Sequence, residues 1–325
     1  MSNNFSNSSV IALPVYREEE CLDRERLSES SSVFVFALVL VLTVNIFLLL
    51  VAVVGNALIM RVFHRVVSIH PSSRALFYSL AASDLCVGSI VQPLNIVFLI
   101  SNLTGNITLC RGIMPYREVL GFAMCGVSLL TASEISLDRL FALRLRLSYR
   151  RVVSLGRARL VVVITWFVSL ISGLTSLWNR EVFNVLQIVG AFLSITVSTV
   201  SYSWIYHNLR QRAIRVHDHR QTAGWSEPCQ SVSEASSFSR MRYKKTLSTA
   251  QWVYFVLLLC SLPYMIVAAL WTVLGGTREI IIGHAFALTL VYFNSAFNPL
   301  LYCLKIAEVR YGIKGLFRRG VSCNK

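Results

Sequence analysis

Seven continuous apolar stretches, at about 33–60, 75–100, 113–137, 158–178, 183–206, 247–274 and 280–304, alternate along the chain with short segments in which charged and polar residues collect. Each is long enough for a helix to cross a hydrocarbon core of about 30 Å. The runs are continuous rather than alternating, which selects helices over the dyad pattern of a membrane barrel. The pattern predicts an all-α membrane protein built as one seven-helix bundle, with no internal repeat. Residues 1–32 read as an N-terminal segment, 33–304 as the transmembrane domain with a large inner loop at 211–244, and 305–325 as an amphipathic helix and tail. In that tail Ile306, Val309, Ile313, Leu316 and Phe317 alternate with basic residues, as in a short helix lying on the inner membrane surface.

Composition sharpens the class. The chain is 55% hydrophobic and 14% charged over 325 residues, with mean hydropathy +0.60, too apolar for a soluble domain of this size. The net charge of +15 follows from topology. With the N-terminus outside, 23 of the 31 Lys and Arg fall on inner segments and 7 on outer ones, as the positive-inside rule requires. An anionic inner leaflet accounts for the basic surface without nucleic acid as a partner. Residues 1–32 lack an apolar core and carry Glu18-Glu19-Glu20, so no cleavable signal peptide is expected. The sequons at Asn4, Asn7, Asn102 and Asn106 all fall on segments assigned outside and are candidate glycosylation sites. Of eight cysteines only Cys21 and Cys110 lie outside, which predicts that they form a disulfide. Cys323, beyond the amphipathic stretch, is a candidate for acylation.

Asp138-Arg139-Leu140 closes the third stretch, and Asn298-Pro299-Leu300-Leu301-Tyr302 closes the seventh. In this order, on these helices, the motifs resemble those of rhodopsin-like G protein-coupled receptors, and the likeness covers about 33–320. Asn56, Trp166, Tyr202 and Pro263 also match family positions. The resemblance implies a plasma-membrane receptor that binds an extracellular ligand and activates a heterotrimeric G protein as helix six opens. It implies that Asp138 holds Arg139 at rest and that Tyr202 and Tyr302 swing inward on activation. Pro263 removes a backbone donor and is expected to hinge helix six. Trp166 is expected to be a packing anchor. By the same likeness Asp84, Ser128, Asn294, Ser295 and Asn298 form the group that holds a sodium ion in many members, the plainer alternative being a hydrated hydrogen-bond cluster. No other cofactor is implied, and no catalytic grouping is evident, so an enzyme is not expected.

Several departures bear on the trigger. The third motif residue is Leu140, and the acid that often pairs with the motif arginine from helix six falls on Tyr243, so the interhelical ionic lock is expected to be absent and basal activity appreciable. Ser261 stands where the family often has tryptophan beside Pro263, and Ser194 where helix five usually has proline. The usual helix-three cysteine position is Met114, and the second outer loop is only about Asn179 to Val182. These absences resemble melanocortin, cannabinoid and lysophospholipid receptors. The serines of the inner loop, among them Ser231, Ser233 and Ser236, read as part of a solvated linker or as kinase sites leading to arrestin binding.

On helix three, Glu118, Gly121, Cys125, Ser128, Ala132, Ile135 and Arg139 follow steps of three and four and share one face. Small and polar residues there predict a face turned into the bundle. Gly121 holds the position where amine receptors carry aspartate, so a monoamine ligand is not expected, and helix seven offers no lysine for a retinal Schiff base. Arg117-Glu118 matches the pair that lysophospholipid receptors use on a zwitterionic head group. Arg117, Glu118, Gly121 and Cys125 are therefore ligand-contact candidates, for a lipid, an amphiphile or a peptide. The plainer reading pairs Arg117 with its neighbour or with the acidic N-terminal segment. Readings from other classes are a seven-helix transporter or channel, with Asp84 and Asp138 as pathway residues, and a receptor-like scaffold that does not couple.

Overall fold

A computed structural model describes residues 21, 32–65, 69–145, 148–222, 251–252, 254–271, 273–274, 277–305 and 309–313. Among the described residues seven helices are long and apolar enough to cross a membrane: α1 (Ser32–Arg65), α2 (Pro71–Leu103), α3 (Ile107–Leu145), α4 (Leu155–Leu177), α5 (Arg180–Thr222), α6 (Tyr254–Trp271) and α7 (Arg278–Lys305). A short α8 follows at 309–313. A single turn, Tyr149–Val152, bridges α3 and α4. Among the described residues there is no β-strand.

The helices run beyond the apolar stretches that announced them. Helix α5 continues through Thr222, so the first twelve positions of the expected inner loop are helical. Their run of Arg, Gln and Ala favours helix once the membrane-embedded part has nucleated it. Between α4 and α5 only Trp178 and Asn179 intervene, and Asn179 Oδ1 accepts from Val182 N to cap the new helix.

Without a hydrophobic driving force between helices in lipid, close approach depends on small residues. A Cβ at Gly55 would stand 2.9 Å from Pro299, where α1 meets α7, and one at Gly173 would stand 2.6 Å from the Val119 carbonyl, where α4 meets α3. Polar bonds complete these seams. Asn56 donates to Ala52 O and to Ser295 O (3.0 Å), joining α1 to α7. The indole of Trp166 donates to Ser79 Oγ at 3.0 Å, tying α4 to α2. Helix α2 contains a π turn at Val87–Val91, ending two residues before Pro93, a residue that lacks a backbone N–H. Val309 is fully buried and Gly312 lies against Val62, so α8 docks on the end of α1.

Ser194 replaces a helix-breaking proline, and α5 runs unbroken past it. Ser133 Oγ donates to Ser194 O at 3.1 Å and accepts from Ser198 Oγ at 3.2 Å. Tyr254 OH donates to Ile195 O at 3.0 Å. A hydroxyl ladder thus ties α5 to α3 and α6.

Candidate functional site

The two ends of α3 and the space between them hold the predicted site residues. The predicted face is turned inward: Glu118, Ser128, Ala132, Ile135 and Arg139 are buried, with Gly121 and Cys125 half-buried.

At the end bearing Arg139, Asp138 is the hub. Arg139 Nη2 donates to Asp138 Oδ2 at 2.5 Å, Ser73 Oγ donates to the same oxygen at 2.7 Å, and Tyr149 OH donates to Oδ1 at 2.5 Å. A buried carboxylate is expensive unless paired and hydrogen-bonded, and here three donors from α2, α3 and the Tyr149 turn meet that demand. Burial, followed by the charge of Asp138, pushes the Tyr149 phenol up to about 12, so it remains a donor. The ring of His70 meets Tyr149 edge-on at 4.9 Å, and His70 Nδ1 lies 2.6 Å from Ser72 Oγ. Burial lowers the His70 imidazole below its ordinary value of 6.5; the charge of Asp138 opposes this, and Arg150 and Arg139 add to it.

Nearby, Tyr302 is fully buried with its ring 5.6 Å from Phe63 and 5.7 Å from Phe77. Tyr202 packs on Tyr254, with ring centroids 5.6 Å apart. Among the described residues neither hydroxyl of these two family tyrosines has a hydrogen-bond partner. Pro263 lies within α6, half-buried. Tyr243, Cys323, Asn4, Asn7 and the serines of the inner loop lie outside the described residues.

In the middle of the bundle Asn298 Nδ2 donates to Asp84 Oδ2 at 2.7 Å. Asp84, Asn294, Ser295, Asn298 and Ser128 are all buried. Ser128 Oγ lies 3.0 Å from Ser83 Oγ. Asp84 Oδ1, Asn294 Oδ1 and Asn298 Oδ1 have no hydrogen-bond partner. Three unpaired acceptor oxygens in one cluster are the donor set a hard cation takes. Among the described residues no three His, Cys, Asp or Glu side chains gather as transition-metal ligands would.

The opposite end carries a disulfide between Cys21 and Cys110, packed with Phe98 and Met114. Arg117 lies over the Phe98 ring at 3.8 Å and donates to Asn95 Oδ1 at 3.4 Å. With Phe98, Asn95, Trp271 and His284 it lines a cavity of about 20 Å³ among α1, α2, α3, α6 and α7. Glu118 and Cys125 are not among that cavity's lining residues, and Gly121 turns toward Val91. Asn102, a sequon asparagine, is buried and lines the same cavity, so the fold leaves no room for a glycan on it. Asn106 is exposed and accepts from Leu109 N at 3.1 Å.

Sequence reasoning passed over Glu134, an intramembrane acid that accepts a hydrogen bond from Thr165 of α4. Its position five residues before Arg139 inside an apolar run was the available signal. Tyr149 and His70 had no such signal, since nothing local places them against Asp138.

The family described as 7 transmembrane receptor (rhodopsin family) matches residues 55–185 and 174–302. The chain belongs to this family. Among similar proteins, an adenosine receptor A3 of Canis lupus familiaris is 26% identical over 291 residues, covering 84% of this chain and 89% of that protein. A histamine H2 receptor of Homo sapiens is 23% identical, covering 83% and 77%. A trace amine-associated receptor 6 of Rattus norvegicus is 26% identical, covering 81% of each. The protein is thus a multi-pass plasma-membrane receptor of the G protein-coupled class and not an enzyme.

Proposed function

We propose that this receptor, with its N-terminus outside, binds an extracellular lipid, amphiphile or peptide and activates a heterotrimeric G protein by releasing Arg139 from Asp138. The observation that carries this reading is the Asp138 hub. One carboxylate is shared by Arg139, Ser73 and Tyr149, so withdrawing Arg139 leaves the acid two neutral donors instead of an unpaired buried charge. An arrangement that is satisfied both before and after the change is what a two-state element needs. The unpartnered hydroxyls of Tyr202 and Tyr302 are free to take new partners as α6 moves. Two similar receptors carry an amine in their names, but Gly121 offers no carboxylate to an ammonium, which favours the non-amine classes.

Asp84, Asn294, Ser295, Asn298 and Ser128 would hold a sodium ion, which supplies positive charge that stabilises the ionised Asp84. Asn298, Nδ2 already on Asp84, keeps its oxygen for that role.

The test is G protein activation by membranes of cells expressing the chain, across G protein subtypes, with Arg139→Ala at matched surface expression. A signal that depends on Arg139 supports coupling and identifies the partner. Silence with and without ligand despite surface expression would favour the non-coupling scaffold.

A further inference from the structure

Ser194 and Ser261 stand where the family often has proline and tryptophan, so movement must pass between the two ends of this bundle through other contacts. Between α3 and α5 those contacts are hydroxyls. On α5, Ser194, Ser198 and Tyr202 follow steps of four and share one face. Ser133 and Ser136 of α3 meet that face, and all four serines are buried. Ser133 Oγ has one hydrogen and two acceptors for it, Ser194 O across the seam at 3.1 Å and Leu129 O one turn back on α3, also at 3.1 Å. Ser136 Oγ has Ser133 O within α3 at 2.7 Å and Ser198 Oγ across the seam at 3.4 Å. Ser198 Oγ donates to Ser133 Oγ at 3.2 Å, and a serine inside a helix has the carbonyl one turn back as its other acceptor. From α6, Tyr254 OH reaches Ile195 O at 3.0 Å and lies 3.3 Å from Thr199 Oγ1, one turn along α5.

A hydroxyl stripped of its only acceptor in an apolar interior carries its full desolvation cost. Parting α5 from α3 strips neither Ser133 nor Ser136, because the acceptor within α3 is as close as the one across the seam, or closer. Tyr254 likewise has a second acceptor on α5 when that helix turns against it. The neighbouring seam is different in kind: α4 is held to α3 by the approach of Gly173 to the Val119 carbonyl, a backbone contact with no alternative partner. One side of α3 is thus fixed and the other releasable.

We propose that Ser133, Ser136, Ser198 and Tyr254 are positioning residues for activation: their hydroxyls hold α5 against α3 and α6 while Arg139 rests on Asp138, and release it without stranding a polar atom. The inference rests on the receptor reading above and names the contacts through which α5 moves in it. Ser136 lies within one turn of Arg139 on α3. Tyr202 lies one turn beyond Ser198 on the ladder's face of α5, with its ring 5.6 Å from that of Tyr254, so α5 carries it along. The bonds seen here belong to the arrangement in which Asp138 holds Arg139, and their loss favours the other one.

The experiment makes two measurements on the full chain in lipid nanodiscs. One is the distance between spin labels at the exposed positions Leu160 of α4 and Tyr206 of α5; the other is basal nucleotide exchange across G protein subtypes, with Arg139→Ala as control. Ser133→Ala and Tyr254→Phe remove a hydroxyl and little else. Each is expected to raise the population at a second distance about threefold, the worth of one interhelical hydrogen bond in a membrane protein, and to raise Arg139-dependent exchange with it. Ser133→Ala combined with Ser198→Ala is expected to fall well short of the product of the two single effects, since these serines share one bond. Ser169→Ala, on the α3–α4 seam opposite Gly126, should change neither readout. Both readouts at the wild-type level in Ser133→Ala and Tyr254→Phe, whatever the thermal midpoint, would make the hydroxyls static packing and overturn the proposal. The two readings fail separately. A second distance without exchange in any variant sinks coupling and keeps the ladder, whereas Arg139-dependent exchange that neither variant changes sinks the ladder and keeps coupling.

Discussion

Arg117 and Arg139 lie about six turns apart on one helix, both buried, yet their surroundings differ in kind. Arg139 sits in a cluster whose anion the protein supplies itself, with Asp138 bonded to α2, α3 and the Tyr149 turn. Arg117 faces an aromatic ring, an asparagine and a cavity whose described lining has no carboxylate, above amide groups that lack partners. The first arrangement is a latch around one shared carboxylate; the second is a small cavity lined mainly by apolar, aromatic and amide groups. A membrane helix can carry both because desolvated charge has a strong demand for partners, and the location of the partner sets the role.

The largest expected effect that bears on this contrast is Arg139→Ala, which should abolish G protein activation at matched surface expression, while Arg117→Ala, distant from it, should leave Arg139-dependent basal activation within about twofold. Next comes Asp138→Asn. Removing one partner of a buried pair costs about 3–5 kcal/mol, so the resting state should weaken and basal activation rise several-fold, measured as nucleotide exchange without ligand. Tyr149→Phe removes one hydrogen bond to a charged group, worth about 1.5–3 kcal/mol. It should raise basal exchange less than Asp138→Asn does and lower the thermal midpoint by a few degrees.

Sodium sharpens the comparison from the middle of the bundle. Replacing sodium with a large organic cation at constant ionic strength should raise basal exchange, and Asp84→Asn should remove that dependence; an unchanged response in the wild-type chain would favour the hydrated cluster.

The smallest effect is from pH at the Arg139 end. Burial depresses the His70 imidazole, so the unfolded chain takes up a proton there before the folded one does. Its contribution is therefore fully present above about 6.5 and lost as pH falls below that. The thermal midpoint of the purified receptor should drop slightly between about pH 7.5 and 5.5, and His70→Gln should flatten part of that slope.

Seven spans, the inward face of α3 and the polar identity of Asp84, Asn294, Ser295 and Asn298 were legible in the chain because helical period and the cost of polar atoms in lipid are local rules. The receptor family was legible in Asp138-Arg139 and the Asn298 to Tyr302 motif for the same reason of order and spacing. Asn102 was misread as a glycan site because a sequon carries no information on which way its side chain faces. The serine ladder that stands in for the α5 proline, Glu134 beside Thr165, and the Tyr149 hydroxyl on Asp138 were out of reach, since each joins residues from different elements.

The sequence by itself determined which faces are polar, how many helices cross the membrane and which motif residues lie at the Arg139 end. Only the tertiary structure decided that Asn45 of α1 bonds Thr289 of α7, and that the rings of Phe122, Phe183 and Tyr264 pack together between α3, α5 and α6. Helical period fixes a residue's angle on its own axis. The rotation and depth of one helix against another depend on contacts such as Gly55 on Pro299 and Gly173 on the Val119 carbonyl, which exist only once the bundle has packed.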